Sequence, residues 1–172
     1  MRPDTVAPVV VEAPRDFALI DTAGEKVSLA NYRGKWLLVF FGFTNCPDVC
    51  PTAMLNVSAT LRELGDKAND VQPIFITVDP ERDTPVILKD YLANFGDHIA
   101  GLSGSAEDIA AVAKAYGVFY RKRPMEGDDY TMDHSTALYL VAPDGRYVRA
   151  YVPDMDPAQF ADALRRLMGA SS

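Results

Sequence analysis

Two periodicities divide this chain cleanly. Trp36-Leu37-Leu38-Val39-Phe40-Phe41 contains no polar residue, and Pro73-Ile74-Phe75-Ile76-Thr77-Val78-Asp79 is nearly as apolar. Continuous runs of this kind, rich in aromatic and β-branched residues, predict strands covered on both faces. Between them Met54, Val57, Leu61 and Leu64 recur at helical spacing and predict a helix from just after Pro51 to near Gly65. Thr84-Pro85 predicts a second helix, with threonine as N-cap and proline at the first helical position. Its apolar face is Leu88, Tyr91, Leu92 and Phe95, with Gly96 as the C-terminal cap. Ser105, with Asp108 three residues on as an approximate capping box, opens a third helix that buries Ile109, Val112, Ala113 and Tyr116. A last helix uses Phe160, Leu164, Leu167 and Met168.

Alternation and turn residues add two hairpins. Phe17 to Asp21 and Lys26 to Leu29 flank a Thr-Ala-Gly turn, and Thr136 to Val141 and Arg146 to Tyr151 flank Asp144-Gly145. The order is hairpin, strand, helix, strand, two helices, hairpin, helix. It predicts an α/β domain of thioredoxin-like fold with an extra N-terminal β-hairpin and an inserted helix. The expected boundaries are an extended linker over 1–14, the domain over 15–169 and a tail over 170–172.

Composition narrows the function. A hydrophobic share of 48% and a charged share of 24% are those of a soluble globular domain. The formal net charge of -7 argues against a general nucleic-acid binder, because a phosphate backbone would be repelled. Arg121-Lys122-Arg123 reads as a solvated loop. No run reaches the roughly 20 apolar residues of a membrane span, and no apolar segment after Met1 marks a secretory signal. The chain is therefore expected to be cytosolic, or to derive from an anchored protein whose anchor is absent.

The chemistry concentrates at the only two cysteines, in Thr44-Asn45-Cys46-Pro47-Asp48-Val49-Cys50-Pro51. They stand where the first buried strand turns into a helix, and a helix N-terminus favours thiolate over thiol. With three residues between them, one helical turn brings the Cα atoms to about 6 Å. That separation suits a disulfide, and equally two sulfurs meeting one metal ion. A buried pair of small hydrophobes is the bland alternative. The flanking prolines, Asn45 and Asp48 favour exposure.

The chain has two histidines. His134, in Met132-Asp133-His134-Ser135, precedes the strand that in a thioredoxin-like sheet begins beside the thiol turn. Thioredoxins place a cis-proline there, whereas this chain has none between Pro124 and Pro143. A lone histidine before a strand is usually structural; beside a cysteine pair it can complete a Cys-Cys-His set. Two thiolates and an imidazole suit Cu(I) and adapt to Cu(II), whereas zinc prefers a fourth ligand. Asp133 is either an acceptor orienting His134 or a solvated carboxylate. His98 reads as a surface or capping residue, Met54 as core, and Met125 and Met132 as loop residues. Residues Arg121 to Asp133 read as a mobile loop carrying His134, more ordered with metal bound.

Three motifs together resemble a known family. They are Phe41-Gly42-Phe43-Thr44-Asn45-Cys46-Pro47-Asp48-Val49-Cys50-Pro51, then Thr77-Val78-Asp79-Pro80-Glu81-Arg82-Asp83-Thr84-Pro85, then Asp133-His134-Ser135 with Tyr139-Leu140 and Pro143-Asp144-Gly145. From Phe17 to about Leu167 the chain resembles the Sco (SenC/PrrC) copper-binding assembly proteins of cytochrome c oxidase. The resemblance implies copper held by Cys46, Cys50 and His134. It further implies delivery of that copper to, or thiol reduction of, the binuclear copper site of an oxidase subunit. Partners would be that subunit and another copper chaperone or thioredoxin-like reductant. The protein would be a monomer on the periplasmic side of a bacterial inner membrane. Asn45 departs from the histidine common before the first cysteine, a position outside the family's ligand set. Asp79 matches a family aspartate near the site, with partner recognition or turn capping as its role.

Two functions from different classes follow. A metallochaperone would lose Cu(I) on Cys46→Ala or Cys50→Ala and hold it weakly on His134→Ala. A thiol-disulfide oxidoreductase would use Cys46 as attacking thiolate and Cys50 as resolving thiol, indifferent to His134. A thiol peroxidase shares the fold, but no Thr-x-x-Cys pattern surrounds Cys46.

Overall fold

The computed structural model describes residues 17–45, 49–96, 98–127, 130–134 and 136–170, apart from the side chains of Val49, Thr131, Asp133, His134 and Ala170. Cys46, Pro47, Asp48, Ser135 and the expected linker over 1–14 lie outside the described residues.

The N-terminal hairpin pairs β1 (Ala18–Ile20) with β2 (Lys26–Ser28). Then follow β3 (Trp36–Gly42), α1 (Val49–Leu64), β4 (Val71–Thr77), α2 (Pro85–Leu92), β5 (Ala100–Leu102) and α3 (Ala106–Tyr116). The chain continues through β6 (Tyr120–Pro124), β7 (Tyr130–His134), β8 (Leu138–Val141), β9 (Tyr147–Tyr151) and α4 (Pro157–Ala170). One five-stranded sheet runs β5-β4-β3-β8-β9, parallel through β5, β4 and β3 and antiparallel through β8 and β9. Every residue of β3 is buried, as a strand covered on both faces requires. Helices α1 and α4 pack on each other.

Several local expectations hold. Thr84 caps α2, its hydroxyl accepting from Ile87 N, and Pro85 starts the helix. Ser105 caps α3 by accepting from Asp108 N, and α3 stops at Gly117, whose φ of 69° places it in the left-handed region. Strand β4 begins at Val71, two residues before the apolar run. Pro73 is tolerated because β5 pairs only from Ile74 onward, so the edge facing β5 needs no donor there.

Three expectations are corrected. Helix α2 ends at Leu92 with Ala93 as cap, not at Gly96. Gly96 instead makes a tight turn at φ 111°, where a Cβ would lie 2.6 Å from the His98 ring. Strand β5 was not legible, being three residues long with a central glycine. Gly101 is needed because a Cβ would sit 2.7 Å from Leu92 Cδ1 and 2.9 Å from Leu88 Cγ. Most consequentially, the expected loop over 121–133 is an antiparallel hairpin, with Tyr120 opposite His134, Lys122 opposite Met132 and Pro124 opposite Tyr130. Arg121, Lys122 and Arg123 are therefore exposed residues of a strand, not of a solvated loop.

Candidate functional site

The carboxyl ends of β3 and β4 and the start of β8 meet at one end of the sheet. Register fixes this: Gly42 faces Thr77, and Phe40 faces Leu138. Crevices beyond the carboxyl ends of parallel strands are the usual sites of function in α/β sheets. The thiol turn leaves β3 here, and the chain from β7 into β8 arrives here. Cys50 is the second residue of α1 and fully buried, which corrects its expected exposure. Its sulfur lies over the last residue of β3, so that a Cβ on Gly42 would sit 2.8 Å from Cys50 Sγ. Cys46 is outside the described residues. His134 is the last residue of β7, with its side chain undescribed, as is that of Asp133. Tyr130 and Met132 precede it at alternate positions of the same strand. Met132, expected in a loop, is a buried strand residue; Met54 is core and Met125 follows β6 outside any strand, as expected. His98 lies elsewhere, with Nε2 3.5 Å from Ser58 Oγ and its carbonyl accepting from Gln72 Nε2.

Two carboxylates, Asp83 and Asp79, hold the site's frame. Asp83, fully buried, accepts from Thr44 N at 3.0 Å, Thr44 Oγ1 at 2.5 Å and Thr77 Oγ1 at 2.6 Å. It ties the turn leading to Cys46 to the end of β4. Asp79, 3% exposed, accepts from Arg82 Nε at 2.5 Å and from the Tyr130 hydroxyl at 2.7 Å. Arg82 Nη1 donates to the Tyr130 carbonyl at 2.9 Å, and its guanidinium stacks 3.7 Å from the Tyr130 ring centre. Lys122 Nζ stands 4.3 Å from the same centre and 3.5 Å from Glu81 Oε2. The resemblance of Thr77 to Pro85 to the family motif marks this segment and places Asp79 near the site, but sequence names neither Tyr130 nor Thr44 as a partner.

Desolvation first, then the hydrogen bond to Asp79 and that residue's charge, push the Tyr130 phenol up to about 12. Burial, then Tyr147, push Tyr139 up to about 12 as well. Unfolded tyrosine ionises near pH 10. The unfolded chain therefore releases these protons first, and stability present in full below about pH 10 is lost as pH rises towards 12. Urea unfolding between pH 9 and 12 should show this decline, with a shallower slope in Tyr130→Phe; an unchanged slope would remove Tyr130 from the effect.

Among the described residues no three His, Cys, Asp or Glu side chains form a metal-binding group, and two of the expected ligand side chains fall outside that description. No helix among the described residues is long and apolar enough to cross a membrane.

A mixed sheet of this order, with a cysteine-bearing helix starting at the carboxyl end of its central strand, defines a thioredoxin-like protein. The SCO1/SenC family model matches residues 10–169, and the chain belongs to that family. The bovine protein SCO2 homolog, mitochondrial, is 43% identical over 158 residues, covering 90% of this chain and 59% of the relative. The chain thus spans about three fifths of that relative's length. The structure of Bradyrhizobium japonicum ScoI with copper bound is 44% identical, with a TM-score of 0.84 over 90% of this chain and 99% of that one. BsSco, described as a Sco-family cytochrome c oxidase assembly protein with a disulfide switch, is 30% identical, with a TM-score of 0.75 over 98% of each chain.

Proposed function

We propose that this protein is a copper metallochaperone whose cargo is held by Cys46, Cys50 and His134. Its acceptor would be the copper-site subunit of cytochrome c oxidase. The observation that carries the reading is the strand register. Phe40 opposite Leu138 brings the chain leading to Cys46 and the chain following His134 to the same end of the sheet. The donor chemistry agrees. Two thiolates and one imidazole select a soft ion, and a three-ligand set suits Cu(I) better than zinc. Gly42 supports it further, because the missing Cβ leaves room for the Cys50 sulfur. The copper-bound relative and the oxidase-assembly relative point the same way. We place the protein, as a monomer, on the periplasmic side of a bacterial inner membrane.

The test is anaerobic Cu(I) titration against a competing chelator. Wild type should retain one equivalent, and Cys46→Ala and Cys50→Ala should retain none. His134→Ala should bind at least about 100-fold more weakly, since even residues that merely support metal ligands are worth roughly 10- to 100-fold. Equal retention by His134→Ala would overturn the three-ligand reading.

Burial of Cys50 favours a second use of the same pair. Cys46 as thiolate would attack a partner disulfide, and Cys50 would resolve the mixed disulfide. Two electrons and two protons would pass to the partner, leaving a Cys46–Cys50 disulfide. This reductase would prepare the oxidase cysteines for copper and would turn over normally in His134→Ala.

A further inference from the structure

The two halves of the candidate site come from distant parts of the chain, yet one short turn grips both. Turn 79–83 is closed on itself: Asp79 N donates to Thr77 Oγ1 at 3.0 Å, and Asp83 N donates to the Asp79 carbonyl at 2.9 Å. At one end Asp83 holds Thr44, two residues before Cys46. At the other, Asp79 and Arg82 hold Tyr130, the first residue of β7, whose last residue is His134. Tyr130 is gripped by its hydroxyl, its ring face and its carbonyl.

The grip matters because β6 and β7 form a two-stranded sheet that joins no other strand among the described residues. Isolated hairpins are marginal in water. All of β6 beyond Tyr120 is exposed, and among the described side chains of β7 both Tyr130 and Met132 are anchored inward.

We propose that Tyr130 and Arg82 are positioning residues for His134, and that turn 79–83 sets the spacing between the histidine-bearing hairpin and the thiol turn. This rests on the copper-carrier reading above. The Tyr130 hydroxyl locks the start of β7 to a buried carboxylate, and the strand transmits that constraint to its last residue. Loosening the lock leaves the cysteine pair untouched, because Thr44 and Thr77 are held by Asp83 instead.

A double-mutant cycle in the full chain tests this, using Cu(I) affinity by chelator competition and the midpoint potential of the copper-free Cys46/Cys50 couple. Tyr130→Phe should weaken Cu(I) binding about tenfold, the scale of one hydrogen bond to a charged group. It should leave the midpoint potential unchanged. In a His134→Ala background Tyr130→Phe should have no further effect, since its action passes through the imidazole. Arg82→Lys, which keeps the charge but loses the forked geometry, should behave alike. The inference is overturned if Tyr130→Phe binds copper like wild type while His134→Ala is weakened. A tenfold loss that persists without His134, or a shifted midpoint potential, would also overturn it. If His134→Ala itself binds like wild type, the three-ligand reading fails first and takes this inference with it.

Discussion

Asp83→Ala should destabilise the fold by at least about 3 kcal/mol, because a buried carboxylate disappears and the donors aimed at it remain. Asp83 is fully buried, and its oxygens accept from Thr44 N, Thr44 Oγ1 and Thr77 Oγ1. Hydrogen bonds to a charged group are worth about 1.5–3 kcal/mol each, and alanine returns none of them. For a chain of this length that is a fall in Tm of roughly 6–12 °C. Urea unfolding with linear extrapolation measures it. Asp83→Asn, which keeps the shape and one acceptor oxygen, should lose less. Released from β4, the turn before Cys46 should also exchange its amides faster, beginning with Thr44. A loss below about 1 kcal/mol, the ordinary effect of a single substitution, would show that Asp83 does not hold this turn.

Gly42→Ala should be nearly as damaging and more specific to the site. The added methyl would lie 2.8 Å from Cys50 Sγ, 2.9 Å from Phe40 Cε2 and 3.1 Å from Phe75 Cε2. Neither ring can swing aside: Phe40 and Phe75 are fully buried and packed together, with centroids 6.0 Å apart. Overpacking of this kind costs about 1–3 kcal/mol. The remaining freedom is a shift of the Cys50 sulfur. Gly42→Ala should therefore weaken Cu(I) retention, and Gly42→Val should do so more strongly, with the surrounding sheet retained. Wild-type stability together with wild-type copper affinity would show that the sulfur is not constrained from this side.

The elements that repeat a local pattern were legible. Strand β3 coincides with its apolar run, and α1 carries Met54, Val57, Leu61 and Leu64 on its buried face. Thr84 and Ser105 cap as their chemistry requires. Each of these depends on residues within a few positions of one another. Strand β5 and the β6–β7 hairpin do not. β5 exists because β4 offers an edge, and the hairpin is held by Tyr130 reaching Asp79, 51 positions away. Its outer strand, Tyr120-Arg121-Lys122-Arg123-Pro124, has no apolar alternation to reveal it.

Residue order alone thus determined the α/β architecture, the place of the cysteine pair at the end of the central strand, and a lone histidine shortly before β8. Periodicity, caps and turn residues act over a few positions, so they can be read without the folded chain. The tertiary structure decided that Cys50 is buried over Gly42, that the histidine ends a strand, and that Asp79 and Asp83 anchor the two sides of the site. Those outcomes follow from packing and hydrogen bonds beyond the reach of local periodicity, up to 51 positions apart for Tyr130 and Asp79, which exist only once the sheet has brought the segments together.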